Sequence, residues 1–63
     1  MDRKILIARL RQLLVADKNA LDIYTELSKM ALDQDQRKIF SAIALDEQRH
    51  TILSEEILLL LEN

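Results

Sequence analysis

Neither glycine nor proline occurs anywhere in this chain of 63 residues, so nothing intrinsic to the backbone breaks a helix from one end to the other. The residues that dominate instead, Ala, Leu, Ile, Glu, Lys, Arg and Gln, are good helix formers because they lose little side-chain freedom in a helix. Apolar periodicity lapses at one place only, Asp33-Gln34-Asp35-Gln36. There Asp33 and Gln36 are spaced as a capping box, an acceptor at the N-cap and a returning side chain three residues on. The expectation is an all-α chain, a single unit over 1–63 with helix one at about 3–31, a turn at about 32–34 and helix two at about 34–62. Each helix would be roughly 40 Å long, and so short a turn makes the two antiparallel.

A lone hairpin of this length buries too little apolar surface to offset its conformational entropy. Cysteine is absent, which excludes disulfides, thiolate zinc sites and rubredoxin-type iron centres. Structural help is therefore expected from association or from a non-thiolate metal. The 9 basic and 11 acidic residues are mixed along the chain, for a net charge of -2, so no basic face for nucleic acid is expected. No apolar run approaches the roughly 20 residues that span a bilayer, and the Met1-Asp2-Arg3-Lys4 start leads into no signal-peptide pattern. No membrane partner and a cytoplasmic location are expected. Aromatic content of 3% gives little reason to expect an organic ligand.

Alternating steps of three and four residues trace a buried seam on each helix. On helix one it reads Leu6, Leu10, Leu13, Asp17, Ala20, Tyr24, Leu27, Ala31; on helix two it reads Gln36, Phe40, Ile43, Glu47, His50, Ser54, Ile57, Leu61. Further apolar residues flank these seams, Ile7, Leu14 and Leu21 on helix one and Leu45, Ile52 and Leu59 on helix two. So broad a stripe exceeds what one partner helix can cover. The fold class expected is therefore an antiparallel hairpin that dimerises with itself into a four-helix bundle, the two-fold dimer being the commonest closed assembly.

The interruptions near the middle of both seams are ionisable. With a turn near positions 33 and 34, facing residues have numbers that add to about 67, which sets Asp17 level with His50 and close to Glu47. Glu47 and His50, three apart, share a helix face. Glu26 lies nine residues beyond Asp17, about 13 Å along the axis and off the seam, while Asp22 and Asp46 sit beside seam positions and read as solvated. A two-fold dimer would gather two copies each of Asp17, Glu47 and His50 inside an apolar bundle. Four unneutralised carboxylates there would cost on the order of several kcal/mol per ion. Two divalent cations per dimer would cancel the charge, and mixed oxygen and nitrogen donors suit iron, manganese or zinc.

The runs Ala20-Leu21-Asp22-Ile23-Tyr24 and Arg37-Lys38-Ile39-Phe40-Ser41-Ala42-Ile43-Ala44-Leu45-Asp46-Glu47-Gln48-Arg49-His50 resemble rubrerythrins and the half-length encapsulated ferritins of the ferritin-like superfamily. The resemblance spans more than half the chain, from Asp17 to His50, and its Glu-x-x-His at Glu47 and His50 is the second-helix motif of di-iron four-helix bundles. It implies a di-iron ferroxidase-like oxidoreductase, oxidising ferrous iron with oxygen or peroxide at a site made between two chains. Glu47 would bridge, Asp17 and His50 would be terminal ligands, and Tyr24 would approach the metal layer as a further catalytic residue. Where the family has a glutamate seven residues before the tyrosine, this chain has Asp17, one methylene shorter. The half-length ferritins usually carry a C-terminal extension for entry into a shell, and with Asn63 as the last residue a cargo role is not expected. The alternative reading is a non-catalytic dimerising hairpin, or a degenerate ferritin-like protein with a structural metal.

Overall fold

A computed structural model describes residues 2–63, which form two helices, α1 over Arg3–Met30 and α2 over Gln34–Glu62, and no strand among the described residues. Both starts are capped by aspartate. The Asp2 carboxylate accepts from Lys4 N at 2.9 Å, and the Asp33 carboxylate accepts from Gln36 N at 2.8 Å, satisfying backbone donors that no helical carbonyl reaches. The Gln36 side chain completes the cap one residue earlier than the capping-box expectation, accepting from Leu32 N at 3.0 Å.

The reversal of the chain is made without any residue of positive φ among those described. Ala31 leaves the helix at φ -56, ψ 139, Leu32 stands 90% exposed at the tip, and Asp33 is extended at φ -142, ψ 175. Three residues of ordinary negative φ thus do what a glycine of positive φ usually does at a helix end. At the opposite end the guanidinium of Arg3 donates to the carbonyls of Leu61 and of Asn63, the latter at 3.1 Å, and Arg11 pairs with Glu62. Contacts from the start of α1 to the end of α2 require the two helices to run antiparallel.

The resulting rod measures 47 × 15 × 14 Å, and its radius of gyration of 14.5 Å exceeds the roughly 11 Å of a compact chain this long. One residue among those described is buried, Thr51 at 8% exposure, and no apolar side chain reaches that state. Thr51 is tolerated there because its hydroxyl donates to the Glu47 carbonyl one turn back, at 2.9 Å. Among the described residues no helix is long and apolar enough to cross a membrane.

The seam between the helices is rotated from the one expected. On α1, Leu13 is exposed, while Ile7, Leu14 and Leu21 turn partly inward beside Leu6, Leu10, Asp17, Ala20 and Tyr24. On α2, Gln36, His50 and Ile57 are exposed and Ala44, Thr51 and Leu58 take inward places with Phe40, Ile43, Glu47, Ser54 and Leu61. The reason is geometric: from Glu47 a step of three leads to His50 and a step of four to Thr51, and a single neighbouring helix covers only one of these. The residues displaced from the seam, Leu13, His50 and Ile57, line up with Leu53 along one open face of the hairpin.

Asp33→Ala removes the acceptor for Gln36 N and should lower the unfolding free energy by about 1 kcal/mol, read as a reduced urea midpoint with earlier amide exchange at residues 34 to 37.

Candidate metal centre

Asp17 projects from the middle of α1; Glu47 and His50 project from the middle of α2, one turn apart. One potential donor atom from each lies within 4.8 Å of the other two, the grouping of metal-ligating residues found among the described residues. Asp17 and Glu47 are half-buried between the helices, whereas His50 is exposed at the edge. Together with Leu13, Leu53, Ser54 and Ile57, Asp17 and His50 line a shallow cleft that opens on the apolar face. The half-buried Asp17 carboxylate therefore lies deeper in the cleft than the exposed imidazole of His50.

One atom in this group is poorly served by the protein. Oε2 of Glu47 has no accessible surface and no hydrogen-bond partner. A carboxylate oxygen removed from water and left unpaired costs at least about 1–3 kcal/mol, and the backbone carbonyl of the same residue, by contrast, is bonded by Thr51. Among the described residues no cation is paired with Glu47, and Lys18, next to Asp17, is held by Glu55 at 3.4 Å. A carboxylate with an orphaned buried oxygen, grouped with a second carboxylate and an imidazole, is an arrangement a cation would satisfy.

The dimensions agree with that. Donors bound at about 2.0–2.2 Å lie at most about 4.4 Å apart across one ion, so a triad within 4.8 Å needs only small side-chain adjustments to close on one. Two carboxylates and one imidazole balance a divalent charge and favour iron, manganese or zinc over hard cations that take oxygen alone. Three protein donors leave coordination positions open, the pattern of reactive rather than purely structural centres. Asp17, Glu47 and His50 are thus a set that fits a first-row divalent ion.

Tyr24 sits half-buried on α1, two turns beyond Asp17 or about 10.5 Å by helical rise, outside the donor cluster. Glu26, Asp22 and Asp46 are exposed and are absent from it. The residue that sequence reasoning passed over is Thr51. Its position four residues after Glu47 was the available signal, since a threonine there can bond back to the Glu47 carbonyl and occupy the interhelical seam at no polar cost.

Compared with protein-family models, with curated proteins and with solved structures, the chain matches none.

Replacing Glu47 with leucine removes the unpaired buried oxygen. In protein stripped of metal by chelator, Glu47→Leu should raise the unfolding free energy by on the order of 1–3 kcal/mol, seen as a higher denaturation midpoint; a lower midpoint would show that the carboxylate is already satisfied.

Proposed function

We propose that this chain is a ferritin-like metal protein: a hairpin that pairs with a second copy and oxidises ferrous iron at a site shared between the two. The observation that carries the reading is the convergence of Asp17, Glu47 and His50 with an unpartnered buried oxygen among them. Its setting supports the reading. The cleft opens beside half-exposed Leu13, Leu53 and Ile57, and helical periodicity puts Ile5 and Ile23 of α1 and Ile39 and Leu60 of α2 on the same side. Apolar surface of that extent around a charged group is best covered by a copy of itself, and a two-fold pairing there would bring two triads together.

In such a dimer the four carboxylates balance two divalent ions, and the protein's part is to hold them. Glu47 would bring to the ions an oxygen that has no hydrogen-bond partner within the hairpin. Asp17, shorter by a methylene than the glutamate of the resembling families, acts on one ion from its own helix. His50 supplies the neutral donor at the rim. Ferrous iron is the substrate, each ion losing one electron to dioxygen or peroxide, and two ions together furnish the two electrons that convert one peroxide and two protons to water. The surrounding leucines and isoleucines exclude bulk water, which strengthens the carboxylates' preference for the more highly charged ferric product. A cytoplasmic location belongs to the same proposal. The shorter Asp17 also supports a second reading, in which manganese or zinc sits at the site structurally and the pairing of hairpins is the function.

Iron added as Fe(II) without air and then exposed to oxygen should give an absorbance rise in the near ultraviolet that Glu47→Ala abolishes. Equal kinetics in wild type and variant would remove the oxidase reading. Metal at about a hundred times its dissociation constant should stabilise the folded protein by about 2.7 kcal/mol; a melting temperature that ignores both metal and chelator would leave only the adhesive hairpin.

The shared face has its own check. Ile57→Lys, at the edge of the cleft, should convert the two-chain species to single chains in analytical ultracentrifugation, and an undiminished mass would place the pairing elsewhere.

A further inference from the structure

The side of α2 that points away from both α1 and the cleft carries a second apolar line, and neither the hairpin nor the dimer proposed above covers it. Leu45, Ile52 and Leu59 recur at intervals of seven residues and are 58%, 52% and 64% exposed. A seven-residue spacing drifts by only about 20° per step around a helix, so the three form a nearly straight stripe along half the length of α2. Between the first two the surface is concave, lined by Leu45, Gln48, Arg49 and Ile52 with Leu53 at one side. Positions i, i+3, i+4 and i+7 are the four that make the hole into which a neighbouring helix inserts a side chain.

We infer that this stripe is a second self-association surface, on which α2 of another copy packs antiparallel about a two-fold axis through Ile52. Leu45 and Leu59 are equidistant from Ile52, so the axis sets Ile52 against its own copy and Leu45 against Leu59 of the second copy. Charge then selects the direction. In an antiparallel pair the same flank of each stripe meets. On one flank Arg49 comes within one residue's rise, about 1.5 Å, of the level of Glu56 of the second copy, and symmetry repeats the pair. Neither residue is in an ion pair within the hairpin among the described residues. On the other flank Gln48 likewise comes within about 1.5 Å of the level of Glu55 of the second copy, an amide donor beside a carboxylate that Lys18 already partly neutralises at 3.4 Å. Parallel packing would instead bring opposite flanks together and set Glu55 beside Glu56 of the second copy, twice by symmetry, which like charges oppose.

The stripe is small. Three half-exposed aliphatic side chains per copy fall well short of the roughly 800 Å² per partner of a stable interface, so it joins units that offer two stripes at once, where the second contact is effectively intramolecular. The inference rests on the dimer reading for this stoichiometry alone: dimers join through their outer α2 faces into assemblies of four chains or more.

Light scattering on purified, metal-loaded protein tests it, with circular dichroism confirming helix content in each variant. The wild type should have the mass of at least four chains. Ile52→Lys should reduce it to two while zinc titration still gives one ion per chain. Arg49→Glu and Glu56→Arg should each reduce the mass likewise, and the two together should restore it. A wild type of four or more chains whose mass Ile52→Lys leaves unchanged, or a double variant that stays at two, overturns the inference. A wild type of two chains overturns it if Ile57→Lys separates them and Ile52→Lys does not, leaving the dimer reading intact. The reverse pattern keeps this stripe as a self-association surface and removes the cleft face from the dimer reading.

Discussion

Two antiparallel helices touch along a single line, and a line of contact can cover only a narrow strip of each cylinder. Everything particular about this molecule follows from that restriction. α1 and α2 are 28 and 29 residues long, yet no apolar side chain is buried between them, and large aliphatic residues stand exposed on more than one side. A hairpin so built has secondary structure without a core, and its stability depends on what else it touches.

The same restriction explains why the ionisable layer sits where it does. Were Asp17, Glu47 and His50 all enclosed, the hairpin would bear the full cost of desolvating two carboxylates; were all three on the outside, nothing would hold them together. The structure falls between these cases, with the carboxylates half-buried and the imidazole on the rim. Thr51 and Glu47 show the contrast at one turn of helix: the threonine hydroxyl enters the seam with its hydrogen bond supplied, while the glutamate oxygen enters without one. A cation bound there would couple loading to stability, because the oxygen that costs free energy in the metal-free state would also set the affinity of the site.

How much of this was legible in the sequence depended on whether the governing interaction was local. The turn was, because Asp33 and Gln36 sit within four residues of each other and capping chemistry needs nothing beyond them. The common level of Asp17, Glu47 and His50 was also legible, since register in an antiparallel pair follows from where the chain reverses. Rotation about the helix axes was not. Leu13 and Leu14 are adjacent and equally apolar, as the next inward places after Glu47 are His50 by a step of three and Thr51 by a step of four, and only contact with the other helix decides between them. Thr51 was absent from the expected seam because its capacity to bond its own backbone leaves no trace in a hydropathy pattern.

The guanidinium of Arg3 against the last carbonyls of α2 means that the chain returns to where it began. Two copies read in tandem from one message could therefore be joined by a short tether, without either hairpin unfolding, when their ends lie on the same side. Covalent union would make the partner's concentration irrelevant and would release the halves from having to be identical. In the pairing proposed above, one copy could then lose its histidine or lengthen its aspartate while the other kept both, so asymmetry at the proposed shared centre would be within reach of a single duplication followed by point changes.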